Sequence, residues 1–212
     1  MKLYNFSKFN ESTESIESIC KKYRIENWTI EDGLVNVDGN VDLYYENLNK
    51  LPLNFGEVTG YFDCFNNNLT SLEGCPKRVG GNFRCSDNKL TSLKGSPEKV
   101  GGEFDCSINK LTSLVGGPKE VWGYYYCYDN ILTDVRGFPE YYRGGIYIIG
   151  NPVYEIIQLF KDVDRDIIIE TLNDYNVIRP NNKVNLQLLK YAFDELEIVM
   201  PEIELIKGYE II

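Results

Sequence analysis

The chain has 212 residues, a net charge of −10 and no histidine. The charge disfavours sequence-independent nucleic-acid binding and adsorption to an anionic membrane, both of which need clustered Lys and Arg. The missing histidine excludes His-based acid–base catalysis and the Ser-His and Cys-His nucleophile pairs, and with them the commonest metal ligand.

The first element expected is an amphipathic helix over Glu11–Tyr23, with Ile16, Ile19, Cys20 and Tyr23 on one face and Glu11 and Glu14 near its start. "WTIEDGLVNV", Trp28–Val37, reads as a β-hairpin turning at Asp32-Gly33. From Asp38 the sequence repeats every 21 residues without insertion or deletion. The units are "DGNVDLYYENLNKLPLNFGEV", "TGYFDCFNNNLTSLEGCPKRV", "GGNFRCSDNKLTSLKGSPEKV", "GGEFDCSINKLTSLVGGPKEV" and "WGYYYCYDNILTDVRGFPEYY", followed by the half-unit "RGGIYIIGNPV". After Asn151-Pro152 the period becomes helical, and helices are expected near Pro152–Phe160, Val163–Tyr175 and Asn185–Val199. Their apolar faces include Ile156, Phe160, Ile168, Leu172, Leu189 and Phe193, and Pro180 and Pro201 punctuate them.

The columns of the repeat carry the physics. The second position is always Gly, from Gly39 to Gly144. The fourth is large and apolar (Val41, Phe62, Phe83, Phe104, Tyr125, Ile146). The sixth holds Cys64, Cys85, Cys106 and Cys127 between Leu43 and Ile148. The ninth is Asn from Asn67 to Asn151, and the eleventh and fourteenth are aliphatic. Pro76, Pro97, Pro118 and Pro139 share the eighteenth. Alternation over positions three to seven predicts a short strand with the fourth and sixth residues inward. Such strands stack in parallel about 4.8 Å apart, an inward Asn bonds the turns of neighbouring coils, and Pro sets an extended convex return. No coil buries its inner face alone, so the ends need caps.

Read from the fourth position, the unit resembles the leucine-rich repeat, L-x-x-L-x-L-x-x-N-x-L. Its short length and late Pro are similar to bacterial effector repeats. The "NNKLTSLEGCPKEVGG"-like unit and the "GNPVYEI" exit at Gly150–Ile156 are similar to leucine-rich-repeat proteins of tailed bacteriophages. The resemblance covers about Cys20–Phe160. It implies an α+β leucine-rich-repeat solenoid with a parallel β-sheet on its concave face. The expected divisions are an N-terminal helix and hairpin cap over 1–37, repeats over 38–153 and a C-terminal helical cap over 154–212.

The residues that invite a catalytic reading have plainer ones. The cysteine column lacks any C-x-x-C pair, and residues stacked on flat strands do not converge on a tetrahedral metal, so the thiols are expected in the core. The paired glycines match neither phosphate-binding motif. The column Asn66, Asp87, Ile108 and Asp129 is too poor in carboxylates for a calcium loop. Asp162, Asp164 and Asp166 suit a helix start. The ubiquitin ligases with similar repeats need a catalytic Cys domain, and the tail after Val153 has no Cys. The chain is therefore expected to be no enzyme and to use no cofactor and no metal.

The outward positions three, five and seven receive no structural role from the repeat. They bring Tyr124, Tyr126, Tyr128, Tyr147 and Ile149 to one end of the expected concave face, and Tyr61, Asp63, Phe65, Arg84 and Asp105 to the rest. Tyrosines are favoured anchors of interfaces. These ten residues are the expected contact surface for a protein partner, preferably basic. The resemblance adds that the partner would be a host protein, a defence or regulatory factor, met in the bacterial cytoplasm. A nucleotide-binding or nucleic-acid-mimic inhibitor is the alternative. The N-terminal "MKLYNFSKFNESTES" lacks the apolar segment of an export signal, and no apolar run reaches 18 residues. Homodimerisation through the C-terminal helices or the face is a further expectation.

Overall fold

The computed structural model describes residues 15–212. The first helix is α1 (Ile16–Lys22), capped by Ser15, whose side chain accepts the Ser18 N–H. The expected helix start at Glu11–Glu14 lies outside the described residues. The hairpin forms as read: β1 (Trp28–Glu31) pairs antiparallel with β2 (Leu34–Val37). Its turn residues Asp32 and Gly33 have φ of 51° and 79°, the left-handed values a two-residue turn of this kind requires.

The repeats form a solenoid of parallel coils. Each coil contributes two short strands, and the chain passes alternately between two sheets. In order they are β3 (Val41–Asp42), β4 (Phe55–Val58), β5 (Phe62–Asp63), β6 (Arg78–Val79), β7 (Phe83–Arg84) and β8 (Lys99–Val100). They continue as β9 (Phe104–Asp105), β10 (Glu120–Val121), β11 (Tyr125–Tyr126), β12 (Tyr141–Tyr142) and β13 (Ile146–Tyr147). The odd strands β3 to β13 make a six-stranded parallel sheet, each residue paired with its equivalent 21 positions on, as Phe62 with Phe83. The even strands join β1 and β2 in a sheet of seven.

This second sheet corrects the expected arrangement of one parallel sheet with an extended, unpaired return. The last two residues of each unit, such as Arg78-Val79, are ladder residues, because the valine side chain packs inward while its backbone pairs with the coil on either side. The strands of the first sheet are also shorter than expected, covering positions four and five only. The Asn column explains why. The Asn88 amide donates to Cys64 and Cys85 carbonyls at 3.0 and 3.2 Å, and its oxygen accepts the Leu69 N–H at 2.9 Å. Those bonds take over from the sheet ladder at the corner and tie each coil to the one before. The pattern recurs at Asn67, Asn109, Asn130 and Asn151.

The interior is a set of stacks. Phe62, Phe83 and Phe104 lie nearly parallel, with ring centroids 5.6 and 5.5 Å apart, and Tyr125 extends the stack. Tyr125 is fully buried and its hydroxyl has no hydrogen-bond partner. The Cys106 thiol beside it is only a weak partner. The hydroxyl fits because Gly117 faces it: a Cβ there would stand 3.1 Å from the oxygen. Position-two glycines answer to the same crowding. A Cβ on Gly123 would lie 2.8 Å from Glu103 N of the preceding coil.

Position eight is left-handed in every coil, at Tyr45, Asn66, Asp87, Ile108, Asp129 and Gly150, with φ between 51° and 80°. This accounts for the Asn and Asp that faintly suggest a calcium loop, since both tolerate that conformation. Ile108 does not: a β-branched residue there is strained.

Beyond the repeats come α2 (Tyr154–Ile157), α3 (Arg165–Asp174), β14 (Ile178–Arg179), β15 (Lys183–Val184), α4 (Leu186–Glu195) and β16 (Glu210–Ile211). Asp164 caps α3 by accepting the Asp166 N–H, as the aspartate cluster suggested, and Asn185 caps α4. The helices are shorter than expected. The tail also holds a small sheet, β14-β15-β16, that the helical reading did not include. The tail packs on the solenoid: the Tyr209 hydroxyl donates to Thr133 O at 2.8 Å, and the Arg165 guanidinium donates to Ile146 O of β13. Among the described residues no helix is long and apolar enough to cross a membrane.

Candidate functional site

The outer face of the six-stranded sheet carries the residues singled out in the sequence. Tyr124, Tyr126, Tyr128 and Tyr147 form one connected aromatic group across β11 and β13. Tyr126 stacks on Tyr147 with centroids 4.9 Å apart, and Tyr124 meets both at 5.9 and 5.7 Å. Tyr128 joins edge-on at 6.5 Å from Tyr126. Tyr124, Tyr147 and Ile149 are exposed at 43%, 45% and 59%, so a large apolar surface faces solvent here. The Tyr126 hydroxyl is held above its ordinary pKa by dehydration and then by Glu103.

The other five residues lie across the middle and opposite end of the sheet. Asp63 and Arg84 are neighbours on β5 and β7 and form an ion pair at 3.8 Å. Tyr61 is exposed, and Phe65 is half-buried against Tyr45, 5.3 Å between centroids. Asp105 accepts hydrogen bonds from Ser86 and Ser107 hydroxyls at 2.9 and 2.6 Å. The ten residues thus share one face but form two groups, with Arg84 and Asp105 between them.

Two features revise the sequence reading of this face. The position-five aspartates have a structural role, since Asp42, Asp63 and Asp105 each accept the N–H two residues on, from Tyr44, Phe65 and Ser107, and so end the strand. Position seven is also not uniformly exposed. Ser86 and Ser107 are buried, because the chain turns inward immediately after the two-residue strand.

Electrostatics single out Asp63. Its carboxyl is pushed above its ordinary value chiefly by loss of water, opposed by the Phe65 N–H and by Arg84. The Tyr61 hydroxyl is raised by dehydration and then by Asp42 and Asp63. Two shallow cavities flank Arg84. One, of about 570 Å³, is bounded by Asp42, Tyr44, Tyr61 and Asp63. The other, of about 360 Å³, is bounded by Glu103, Asp105, Tyr126 and Tyr128.

Sequence reasoning missed Trp122. It stands at position one, where the two preceding coils have Gly80 and Gly101, and it is half exposed. Its ring lies 5.1 Å from Tyr141 on β12, so a second aromatic contact lies on the other sheet. The glycine-to-Trp change in that column was the available signal.

The other tempting groups are inert. The sixth-position cysteines are fully buried, and burial holds their thiols protonated. Among the described residues no group of three or more His, Cys, Asp or Glu is placed to hold a metal. Comparison with protein-family models, curated proteins and solved structures gives no match.

Proposed function

We propose that this protein is a non-catalytic interaction module, a short leucine-rich-repeat solenoid whose six-stranded sheet lines its concave face and binds a protein partner. The connected group Tyr124, Tyr126 and Tyr147 is the observation that carries this reading. Exposed tyrosines in mutual contact give large rigid area at low entropic cost, with a hydroxyl at each ring edge for hydrogen bonding. The hairpin with α1, and the tail from Tyr154, act as its caps. Arg165 supports the second of these, because it satisfies a carbonyl on the terminal strand β13. The likeness of the unit to tailed-phage repeats favours a bacterial host protein, a defence or regulatory factor, in the cytoplasm.

The test is affinity capture from host lysate with wild type, with Tyr124→Ala/Tyr126→Ala, and with Arg78→Ala on the other sheet. The double variant is expected to lose its partner by at least about tenfold, and Arg78→Ala to keep it. A double variant that retains every captured protein would show that the partner binds elsewhere.

A further inference from the structure

The two ends of the solenoid are finished differently. At the C-terminal end both sheets meet the tail: the Tyr142 hydroxyl on β12 donates to the Asp166 carboxylate on α3, and Arg165 donates to Ile146 O on β13. At the N-terminal end the six-stranded sheet stops at β3, which is two residues long. The seven-stranded sheet stops at β1, which is four residues long and exposes Thr29, Ile30 and Glu31. A sheet edge of that length with an open ladder is a template for another strand.

The hairpin register decides which backbone groups are open. On β2 the Val35 N–H and the Val37 carbonyl turn away from β1, bonding Asn54 O and Thr59 N–H at 2.8 and 3.0 Å. Alternation leaves Leu34 and Asn36 to bond β1, through their partners Glu31 and Thr29. The Asp38 N–H, which donates to Asn27 O at 2.9 Å, keeps the same parity. The N–H and C=O groups of Trp28 and Ile30 therefore point outward, and among the described residues none of the four has a hydrogen-bond partner.

These four groups are self-complementary. A two-fold axis beside Thr29 sets Trp28 opposite Ile30 of a second copy, and Ile30 opposite the Trp28 of that copy. Four N–H···O=C bonds close and none of the groups is left over. Thr29 meets its own copy, and Glu31 comes opposite Asn27 instead of another carboxylate. The side chains agree with this register. Trp28 and Ile30 share a face with Val37 and Val35, their partners in the hairpin, and both valines are buried. Ile30 continues that apolar face yet is 43% exposed. Trp28 of the second copy covers it, as an aromatic and β-branched cross-strand pair.

We propose that β1 pairs antiparallel with β1 of a second copy, joining two seven-stranded sheets into one continuous sheet. The pairing does not depend on the tyrosine face. The ladder is short and buries a small area, so the dimer is weak, with a dissociation constant on the order of 100 µM. Just beyond the ladder Asp32 comes level with Glu26 of the other copy, so dimerisation strengthens with salt.

The first test is sedimentation between about 5 and 500 µM, over which the mean mass is expected to rise from monomer toward dimer. Ile30→Pro removes an N–H that the hairpin does not use, and Ile30→Lys places a charge on the edge. Each is expected to stay monomeric throughout while keeping the wild-type circular dichroism. Tyr124→Ala/Tyr126→Ala, on the other sheet, is expected to dimerise as wild type. Thr29→Cys reports the register. In the paired strands its two Cα atoms stand about 4.5 Å apart, within the span of a disulfide. The six native cysteines are buried and do not compete. Under mild oxidation Thr29→Cys is expected to cross-link at least about tenfold faster than Glu57→Cys, which is exposed on β4. The proposal is overturned if the protein is monomeric at about 500 µM, if both Ile30 variants still dimerise, or if the two cysteine variants cross-link at equal rates. A dimer lost in the tyrosine variant and kept in the Ile30 variants would place self-association on the other sheet and overturn it equally.

Discussion

The coils Gly80–Val100 and Trp122–Tyr142 have equal length and interiors that correspond position for position. Phe83 and Tyr125, Cys85 and Cys127, Asn88 and Asn130, Leu90 and Leu132 all occupy equivalent buried sites. Their outer faces differ entirely. The first coil presents Asn82 and Arg84 with Ser86 tucked in, all hydrogen-bonded or ion-paired to adjacent coils. The second presents Tyr124, Tyr126 and Tyr128, which contact each other and Tyr147. An interior residue in a stack meets its own copies about 4.8 Å above and below, so each site constrains the next. The outer residues also touch their neighbours along the stack, but they are open to water on one side, which relaxes the demand on their size and polarity and lets them diverge.

Four experiments break or sharpen this contrast, beginning with the largest effect. The thiols of Cys64, Cys75, Cys85, Cys106 and Cys127 are held protonated by burial, above their ordinary value of 9.0. In the unfolded chain they ionise as the pH passes 9. Above that pH the folded state binds more protons, so stability is complete below it and falls as the pH rises. At about pH 10 the loss should be on the order of 5 kcal/mol, read as a fall in the urea midpoint between about pH 8 and pH 10. An unmoved midpoint would mean that the thiols are not sealed.

The second is the Asn ladder. Asn109→Ala leaves the Leu90 N–H and the carbonyls of Cys85, Cys106 and Ser107 without that partner. It should cost about 3 kcal/mol in urea unfolding. Asn130→Ala, in the coil with the different exterior, should cost the same within about 1 kcal/mol. A much smaller loss there would show that the interiors are not equivalent after all.

Tyr125→Phe addresses the one misfit inside the last coil. Removing a buried hydroxyl without a partner should raise stability by about 1–2 kcal/mol, seen as a higher melting temperature. A loss would reveal that the hydroxyl is bonded in solution. The smallest effect is expected at Ile108→Asn. It relieves a β-branched residue at φ 53° and should add about 1 kcal/mol by the same measurement, whereas Asn66→Ile in the equivalent place should subtract it.

Much of this was open to a reader of the sequence. Gly at position two, apolar four, Cys at six and Asn at nine each predicted a site that the structure fills as expected. The failures have physical causes. The second sheet was not legible because a pair such as Arg78-Val79 has no alternation to betray a strand. Its pairing comes from the coils on either side. The burial of Ser86 and Ser107 was missed because outward alternation was extended past the end of a two-residue strand. Trp122 was visible in its column, but its contact with Tyr141 depends on the pairing of β10 with β12 in the second sheet.

The sequence by itself therefore determined the period, the inward columns and the presence of an unusual tyrosine cluster, because a 21-residue repeat imposes the same contacts on every copy. Only the tertiary structure decided that each coil serves two sheets and that the position-five aspartates end their strands. It alone placed Arg84 in the lining of two shallow cavities that also hold carboxylates and tyrosines. Those arrangements arise between coils, from residues far apart in the chain that stacking brings within hydrogen-bonding distance.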